Sequence, residues 1–454
     1  MTVDAVASTG TLPARASAAV GVVKVANRLS RVLGRGSGTV VGGRAGLVVD
    51  PALLATLARD RDVALVTGTN GKTTTTSMLV AALSGASGPA IATNDTGANM
   101  PAGHVAAMVD SPRATAAVLE VDESYLGQLI EETHPRVVVL LNLSRDQLDR
   151  IAEVRMLVDR WRSALAGLSG SSDSGARGTV VVANADDPMV VWAALAAPDV
   201  CWVGAGQVWH DDAVGCPACS GRIEFGAEGA WACDRCDFAR PARDAWLEGA
   251  DLVIADGARQ VLTLGLPGQF NRANAAMAAL AATEMLASRT PGAALRTALP
   301  LPGVLARLAS VDQVAGRFSS TVRRGRPVRL LLAKNPAGWT AIFDLLDEAG
   351  PGDAPVVLSV NARVADGLDT SWLWDVPFER LAGRSVVATG DRRIDLAVRL
   401  RYAEVSHAVV DGPLAALDRA VGLSDLGTAG PDRGPGTIEF LGNYTAFADL
   451  RRQL

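Results

Sequence analysis

The sequence predicts an α/β fold in two sheet-bearing parts: a central phosphate-loop domain carrying a cysteine-rich insertion, then a C-terminal Rossmann-like α/β domain. Three observations carry this. From Val63 onward, short apolar runs bounded by glycine alternate with helically spaced stretches, the pattern of a parallel sheet with crossover helices. The alternation breaks over about residues 203–244, where four cysteines in two C-x-x-C pairs sit among glycines and tryptophans. It resumes, and after the Pro/Gly/Leu stretch Thr290–Pro302 a second strand–helix series begins. A chain of 454 residues also exceeds one core. The boundaries read as a lead segment over 1–60, a central domain over 61–305 and a C-terminal domain over 306–454.

Within the lead segment, Arg35–Gly46 is too glycine-rich for a helix and reads as loop with short extended pieces. Val63–Thr67 is a buried strand and Thr73–Leu83 has helical spacing. Ala116–Val121 and Val137–Leu143 are further strands, and Asn274–Ser288 is a helix. The second series places strands at Val328–Ala333, Val356–Val360 and Ser385–Ala388.

Composition narrows the function. Hydrophobic residues are 49%, charged residues 20% and the net charge is −5, so no basic excess argues for nucleic acid. No run of about 18 apolar residues is present to span a bilayer. The N-terminus lacks a positive leader followed by a solid apolar stretch, and paired cysteines in such a chain read as metal ligands before disulfides. The expectation is a cytoplasmic protein. Only Lys24, Lys72 and Lys334 are lysines, a scarcity that fits a GC-rich genome.

The strongest chemical signal is Val63-Ala-Leu-Val-Thr-Gly-Thr-Asn-Gly-Lys-Thr-Thr-Thr75. A buried strand runs into a glycine turn, and Lys-Thr-Thr opens a helix. Such turns close backbone N–H groups on phosphate oxygens, and the helix N-terminus adds partial positive charge. Lys72 would reach the terminal phosphates and the Thr73 hydroxyl would meet Mg²⁺. The generic phosphate loop has a glycine where this chain has Val66.

Thr67-Gly-Thr-Asn-Gly-Lys-Thr-Thr74 resembles the phosphate loop of the Mur ligases, which build the peptide of cell-wall precursors. Further segments follow in that family's order. Leu119-Glu-Val-Asp-Glu-Ser124 resembles the segment whose glutamate holds Mg²⁺, with Glu120 at the matching position. Asn142–Arg150 resembles Asn-x-x-x-Asp-His-x-Asp, with Gln147 in place of the histidine. Asn184-Ala-Asp-Asp-Pro188 matches an aspartate-pair turn. Gly268-Gln-Phe-Asn-Arg-Ala-Asn-Ala275 resembles the element whose asparagines meet the adenine side of ATP. Val314-Ala-Gly-Arg-Phe318 resembles the Gly-Arg-Phe/Met that opens the C-terminal domain. The resemblance implies a Mur ligase-type fold that uses ATP and Mg²⁺. Thr69, Asn70, Gly71, Lys72, Thr73, Thr74, Asn271, Asn274 and Arg317 would bind the nucleotide. Lys72 and Glu120 would be catalytic, and Thr73 with Glu120 would hold the magnesium.

Cys216-Pro-Ala-Cys219 and Cys233-Asp-Arg-Cys236 form two knuckles, which supply four thiolates at tetrahedral geometry for zinc. With every position filled by protein, the site is expected to be structural. Cys201, beside Trp202, reads as a buried apolar residue.

The C-terminal half departs from ordinary Mur ligases. Leu331-Leu-Ala-Lys-Asn-Pro336 stands where they have Asp-Tyr-Ala-His-Asn-Pro, so Leu331 and Lys334 replace an aspartate and a histidine. No lysine lies between Lys72 and Lys334 to serve as a carbamylated metal-side group. Ala-Lys-Asn-Pro, the zinc ribbon, Asp-Gln-x-Asp-Arg and Asp366-Gly-Leu-Asp-Thr-Ser-Trp-Leu-Trp-Asp375 together resemble the MurT family across nearly the whole chain. That resemblance implies amidation of the D-glutamate α-carboxylate of lipid II through an acyl phosphate, at the inner face of the membrane. The ammonia would come from a glutaminase partner, GatD. The residues allow for such a partner: glutamine hydrolysis needs a cysteine–histidine pair, and Cys201 with His104, His134, His210 and His407 offers no recognisable one. The family attributes to this subunit an aspartate that completes the partner's triad. Asp369 is the expected residue, with Asp366 and Asp375 as alternatives. A ligase that adds an amino acid is the second hypothesis, disfavoured by Leu331 and Lys334. A non-catalytic zinc-ribbon binding protein is the third, disfavoured by Asp211, Asp212, Glu224, Glu228, Asp234 and Asp237 around the cysteines.

Overall fold

The structure is a computed structural model that describes residues 12–32, 39–85, 90–94, 97–145, 154–168, 178–206, 209–287, 301–312, 318–348, 355–426 and 437–454. Three helices, α1 (Ala14–Val32), α2 (Thr39–Val49) and α3 (Leu53–Ala58), precede the first strand. The first sheet has nine strands: β1 (Asp62–Thr67), β2 (Ile91–Thr93), β3 (Ala116–Glu120), β4 (Val137–Leu140), β5 (Val180–Asn184), β6 (Val200–Gly204), β9 (Ala245–Glu248), β10 (Asp251–Ile254) and β11 (Arg259–Val261). Two short strands, β7 (Ile223–Phe225) and β8 (Trp231–Cys233), pair antiparallel in the cysteine-rich insertion between β6 and β9.

Spatial order in the large sheet is β11-β10-β9-β6-β5-β4-β1-β3-β2. β1 lies parallel between β3 and β4, with Val66 opposite Glu120 and Thr67 opposite Leu140. The β9–β10–β11 edge is antiparallel. Alternation along β1 explains why both faces are covered. Ala64 and Val66 join the core with Met78 and Leu79 of α4 (Lys72–Leu83), while Val63 and Leu65 join the core with Leu53, Leu54 and Val105. The carboxyl ends of β1, β3 and β4 therefore open where the strand order reverses, the usual ligand crevice of a doubly wound sheet. Cys201 is fully buried on β6.

The second sheet comprises β12 (Phe318–Arg323), β13 (Arg326–Leu332), β14 (Val356–Ser359), β15 (Val386–Thr389), β16 (His407–Val409) and β17 (Ile438–Gly442). Its order is β12-β13-β17-β14-β15-β16, parallel except for the β12–β13 hairpin. It too has an apolar core on each face.

One expectation fails. Residues 39–46 belong to helix α2 and not to a loop. Helix α2 packs against α1 and against α5 (Pro101–Asp110) at close range, and there the glycines are required. A Cβ on Gly42 would lie 1.9 Å from Asn27 Oδ1, and one on Gly43 would lie 1.8 Å from the Ala102 carbonyl oxygen. Tertiary packing overrides the weak helix propensity of glycine, which costs about 1 kcal/mol per residue.

Candidate active site

Four residues turn from β1 into α4. Gly71 has φ of +88°, and a Cβ there would lie 2.4 Å from Asn274 Oδ1. Only glycine accepts both constraints. The turn is pinned from outside. Thr69 Oγ1 donates to the Ser144 carbonyl and accepts from the Ser144 N–H, each at 3.0 Å. The Asn70 N–H donates to Asn142 Oδ1 at 2.9 Å, and Asn142 Nδ2 donates back to the Asn70 carbonyl at 3.0 Å. The loop and the first residue of the Asn142 segment thus form one rigid unit. Gln147, further along that segment, lies outside the described residues, as does Arg317.

Lys72 is buried. Its Nζ donates to the Gly68 carbonyl at 2.7 Å and pairs with Glu123 Oε2 at 3.1 Å. Beside it, Thr73 Oγ1 donates to Glu120 Oε2 at 2.7 Å. Glu120 ends β3 with its side chain buried, and several groups hold its backbone. Asn94 accepts from the Glu120 N–H at 2.9 Å and donates to the Glu120 carbonyl at 2.8 Å. His104 Nε2 donates to the same carbonyl at 2.8 Å. Burial pushes the His104 pKa down to about 4 against the opposing pull of Glu120, so the imidazole stays neutral and reports packing rather than acid–base work. A hydroxyl and a carboxylate in contact are hard-oxygen donors that suit Mg²⁺.

A cavity of about 240 Å³ opens beside the loop, between the two sheets. Asn70, Gly71, Thr74 and Asn142 line one wall, Asn271, Asn274 and Phe270 of the helix Gln269–Leu286 another, and Lys334 with Leu331 a third. Asn335, fully buried, exchanges amide hydrogen bonds with Asn70 at 3.2 Å in both directions. That pair ties the phosphate-type loop to the second sheet. The resembling segments gave the positions; they gave no sign of Glu123 as the partner of Lys72, of Asn94 and His104 as braces, or of the Asn70–Asn335 bridge.

The aspartate-pair turn is structural. Asp187 caps the helix Pro188–Ala194 through the Met189 and Val190 N–H groups and also accepts from the Leu143 N–H at 2.8 Å. Asp186 pairs with Arg240 at 3.1 Å.

In the insertion, the sulfurs of Cys216, Cys219, Cys233 and Cys236 all lie within 4.8 Å of one another. Zinc at about 2.3 Å from each of four sulfurs would set them about 3.8 Å apart, and Cys216–Cys236 at 3.8 Å and Cys219–Cys233 at 3.5 Å match that spacing. The Gly221 N–H donates to Cys219 Sγ and the Arg235 N–H to Cys233 Sγ, each at 3.4 Å. The thiols titrate far apart. Burial opposes ionisation of Cys233, but the Arg235 N–H and its neighbours outweigh it and hold that thiol at about 7. The Phe238 N–H favours a Cys236 thiolate, yet the crowding sulfurs push it up to about 12. Only a cation among them would hold all four as thiolates, and the donor set fits zinc.

The three C-terminal aspartates have different surroundings. Asp366 is buried and accepts from the Thr445 N–H at 2.8 Å and from the Thr445 hydroxyl. Asp375 pairs with Arg145 at 3.6 Å. Asp369 is exposed; its Oδ1 accepts from the Ser371 N–H at 2.8 Å, and this donation with that of the Ser371 hydroxyl holds its pKa below the usual carboxylate value.

Comparison with known proteins agrees with this architecture. Residues 66–212 match the family described as Mur ligase middle domain, and residues 332–447 match MurT ligase C-terminal. The MurT subunit of lipid II isoglutaminyl synthase (glutamine-hydrolyzing) from Streptococcus pneumoniae (strain ATCC BAA-255 / R6) is 30% identical over 82% of this chain and 83% of its own length. The subunit of the same name from Staphylococcus aureus (strain COL) is 29% identical over 86% and 89%. Among solved structures, MurF from Acinetobacter baumannii superposes with a TM-score of 0.61 at 16% identity, covering 90% of this chain and 79% of that one. Folylpolyglutamate synthase of Mycobacterium tuberculosis, complexed with ADP, gives 0.56 at 18%, covering 88% and 92%. Phosphate-type loop, four-cysteine cluster, second α/β sheet and nearly full-length similarity all lead to one placement: the chain belongs to the MurT family of Mur ligase-type ATP-dependent ligases.

Proposed function

We propose that this chain amidates the D-glutamate α-carboxylate of lipid II to D-isoglutamine, with ATP and with ammonia delivered by a GatD-type glutaminase. The observation that carries the reading is the contact of Thr73 with Glu120 beside Lys72, in a loop whose Asn70, Gly71 and Thr74 line the cavity and whose Asn70 is tied to Asn335 of the second domain. In this reading, residues 61–305 form the ATP-binding unit and residues 306–454 the unit that meets the partner.

The carboxylate attacks the terminal phosphoryl group of ATP, giving an acyl phosphate and ADP. Ammonia then attacks the acyl carbon, phosphate leaves, and one proton is lost from nitrogen. Most of the catalytic work is positioning and compensation of charge. Thr69, Asn70, Gly71 and Thr74 shape the phosphate cradle, and Asn271 and Asn274 line the nucleotide side of the cavity. Lys72 would exchange Glu123 for phosphate oxygens when the nucleotide enters. Thr73 and Glu120 would hold Mg²⁺, which supplies charge neutralisation. At the other end, Asp369 stands exposed beside Leu368 and Trp374, themselves more than half exposed. Exposed large apolar side chains in the same segment as an exposed carboxylate suit a docked protein, since aromatic residues are enriched where proteins meet.

The deciding assay supplies lipid II and ATP with either glutamine or ammonium, with and without the partner. Amidation from ammonium by this chain, and from glutamine only when the partner is added, is expected. Incorporation of an amino acid in place of ammonia would overturn the assignment in favour of a peptide-forming ligase.

Zinc belongs to the same proposal, in a structural role. Metal analysis should return about one zinc per chain. Cys216→Ser should lower Tm while leaving the Kd for ATP within about twofold, since the cluster packs on Val191, Trp231 and Phe238 and not on the phosphate-type loop. Zinc-free protein of undiminished stability, or a variant that loses ATP binding at unchanged Tm, would refute the structural role.

A further inference from the structure

Helix α1 carries two faces. Ala16, Ala19, Val23, Asn27 and Ser30 are buried against the rest of the protein. On the far side, Val22, Val25, Leu29 and Val32 point to solvent, with exposures of 37%, 59%, 56% and 76%. Their spacing of three, four and three residues puts them on one stripe of the helix. Lys24, Arg28 and Arg31, all exposed, run along the edge between that stripe and the buried face. No acidic residue occurs in α1 or α2. The first 50 residues hold six basic and two acidic residues, in a chain whose net charge is −5. A helix that packs one face on the protein, turns a second aliphatic stripe outward and edges that stripe with cations has the pattern of a helix lying in a membrane interface. No helix among the described residues is long and apolar enough to cross a membrane.

We propose that the outward face of α1 docks on an anionic phospholipid surface, with Val22, Val25, Leu29 and Val32 entering the interface and Lys24, Arg28 and Arg31 meeting lipid phosphates. Charge complementarity selects this occupant: a basic edge on an acidic protein favours anionic lipid, whereas a second copy of the chain would bring like charges together at that edge. The proposal rests on the reading above, in which the substrate is lipid-anchored, and adds how the enzyme meets the surface that carries it. Its position suits the task. Helix α1 packs on α2 and α5, and α5 supplies the His104 that braces Glu120. The docking face is therefore separated from the candidate catalytic carboxylate by two helical layers.

Co-sedimentation of the full-length chain with substrate-free vesicles tests this, using phosphatidylcholine with and without phosphatidylglycerol, at low and high salt. Binding to the phosphatidylglycerol vesicles, weakened by salt, is expected. The double variant V25S/L29S should lower the partition coefficient about tenfold. K24Q/R28Q should lower it about tenfold on the anionic vesicles. All four positions are exposed, so Tm should stay within about 2 °C of the parent. Absence of binding, or variants that sediment like the parent, would overturn the proposal. So would a parent dimer that V25S/L29S converts to monomer, which would make the face a self-interface. Amidation of detergent-dispersed lipid II, run in parallel, should be unchanged in both variants. If the parent fails that assay but binds vesicles, the substrate assignment falls and the docking face stands.

Discussion

Replacing Lys72 with alanine is expected to cut ATP-dependent turnover roughly 100- to 1,000-fold, the usual loss for one transition-state charge contact. The structure adds a second consequence. Lys72 is almost wholly buried and pairs at 3.1 Å with Glu123, whose side chain is only 11% exposed. The alanine variant leaves that carboxylate without its buried cation, a change that costs about 3 kcal/mol and lowers Tm by several degrees. Removing both charges separates the two effects. Lys72→Met with Glu123→Gln should recover most of the lost stability, because neither buried group is then charged, yet remain as inactive as the alanine variant. Turnover and Tm measured on the single and double variants check this. Near-normal turnover in Lys72→Ala would remove the phosphate-loop assignment. Turnover restored in the double variant would mean that the lysine acts only by neutralising Glu123.

The Lys72–Glu123 pair marks where the sequence stops being legible. Gly-Lys-Thr after a buried strand specifies a backbone, because a positive φ and close approach at Gly71 leave no alternative residue. Glu120 is readable for a similar reason: it ends an apolar strand, and strand ends line the crevice. Glu123 lies 51 residues from Lys72 on a short 3-10 turn, and local pattern names no partner for it. The Asn70–Asn335 bridge spans 265 residues and depends on how the two sheets meet, which no local periodicity encodes. Helix α2 shows the opposite failure. Its composition argued against a helix, but Gly42 and Gly46 lie one turn apart and face Asn27 and Val23 of α1. Small residues at that spacing let two helix backbones approach closely, a signal available in the sequence and outweighed there by propensity. The cysteine cluster was fully legible, since two C-x-x-C knuckles bring their own geometry.

Asp369→Asn is expected to reduce glutamine-dependent amidation on the order of 10³-fold or more, as loss of the orienting carboxylate of a catalytic triad does, while ammonium-driven amidation stays near the parent level. Asparagine keeps an oxygen to accept the Ser371 N–H, so the Ser371–Trp374 turn should survive, and only the charge offered to a partner histidine is removed. The two neighbours serve as controls. Asp366 is buried and accepts from the Thr445 N–H and hydroxyl, so Asp366→Asn should lower Tm and depress both activities together. Asp375 is partly exposed and pairs with Arg145 at 3.6 Å, so Asp375→Asn should change little, as exposed ion pairs contribute about 0–1 kcal/mol. The pH dependence gives an independent check. The Ser371 N–H and hydroxyl hold the Asp369 pKa below the usual carboxylate value. Its charge is therefore constant across the working range, and the acid limb of glutamine-dependent activity should report a histidine of the partner, near about 6–7. Equal loss of the glutamine and ammonium activities in Asp369→Asn would place this residue in the ligase site or the fold. If neither activity changes, another carboxylate orients the partner's histidine.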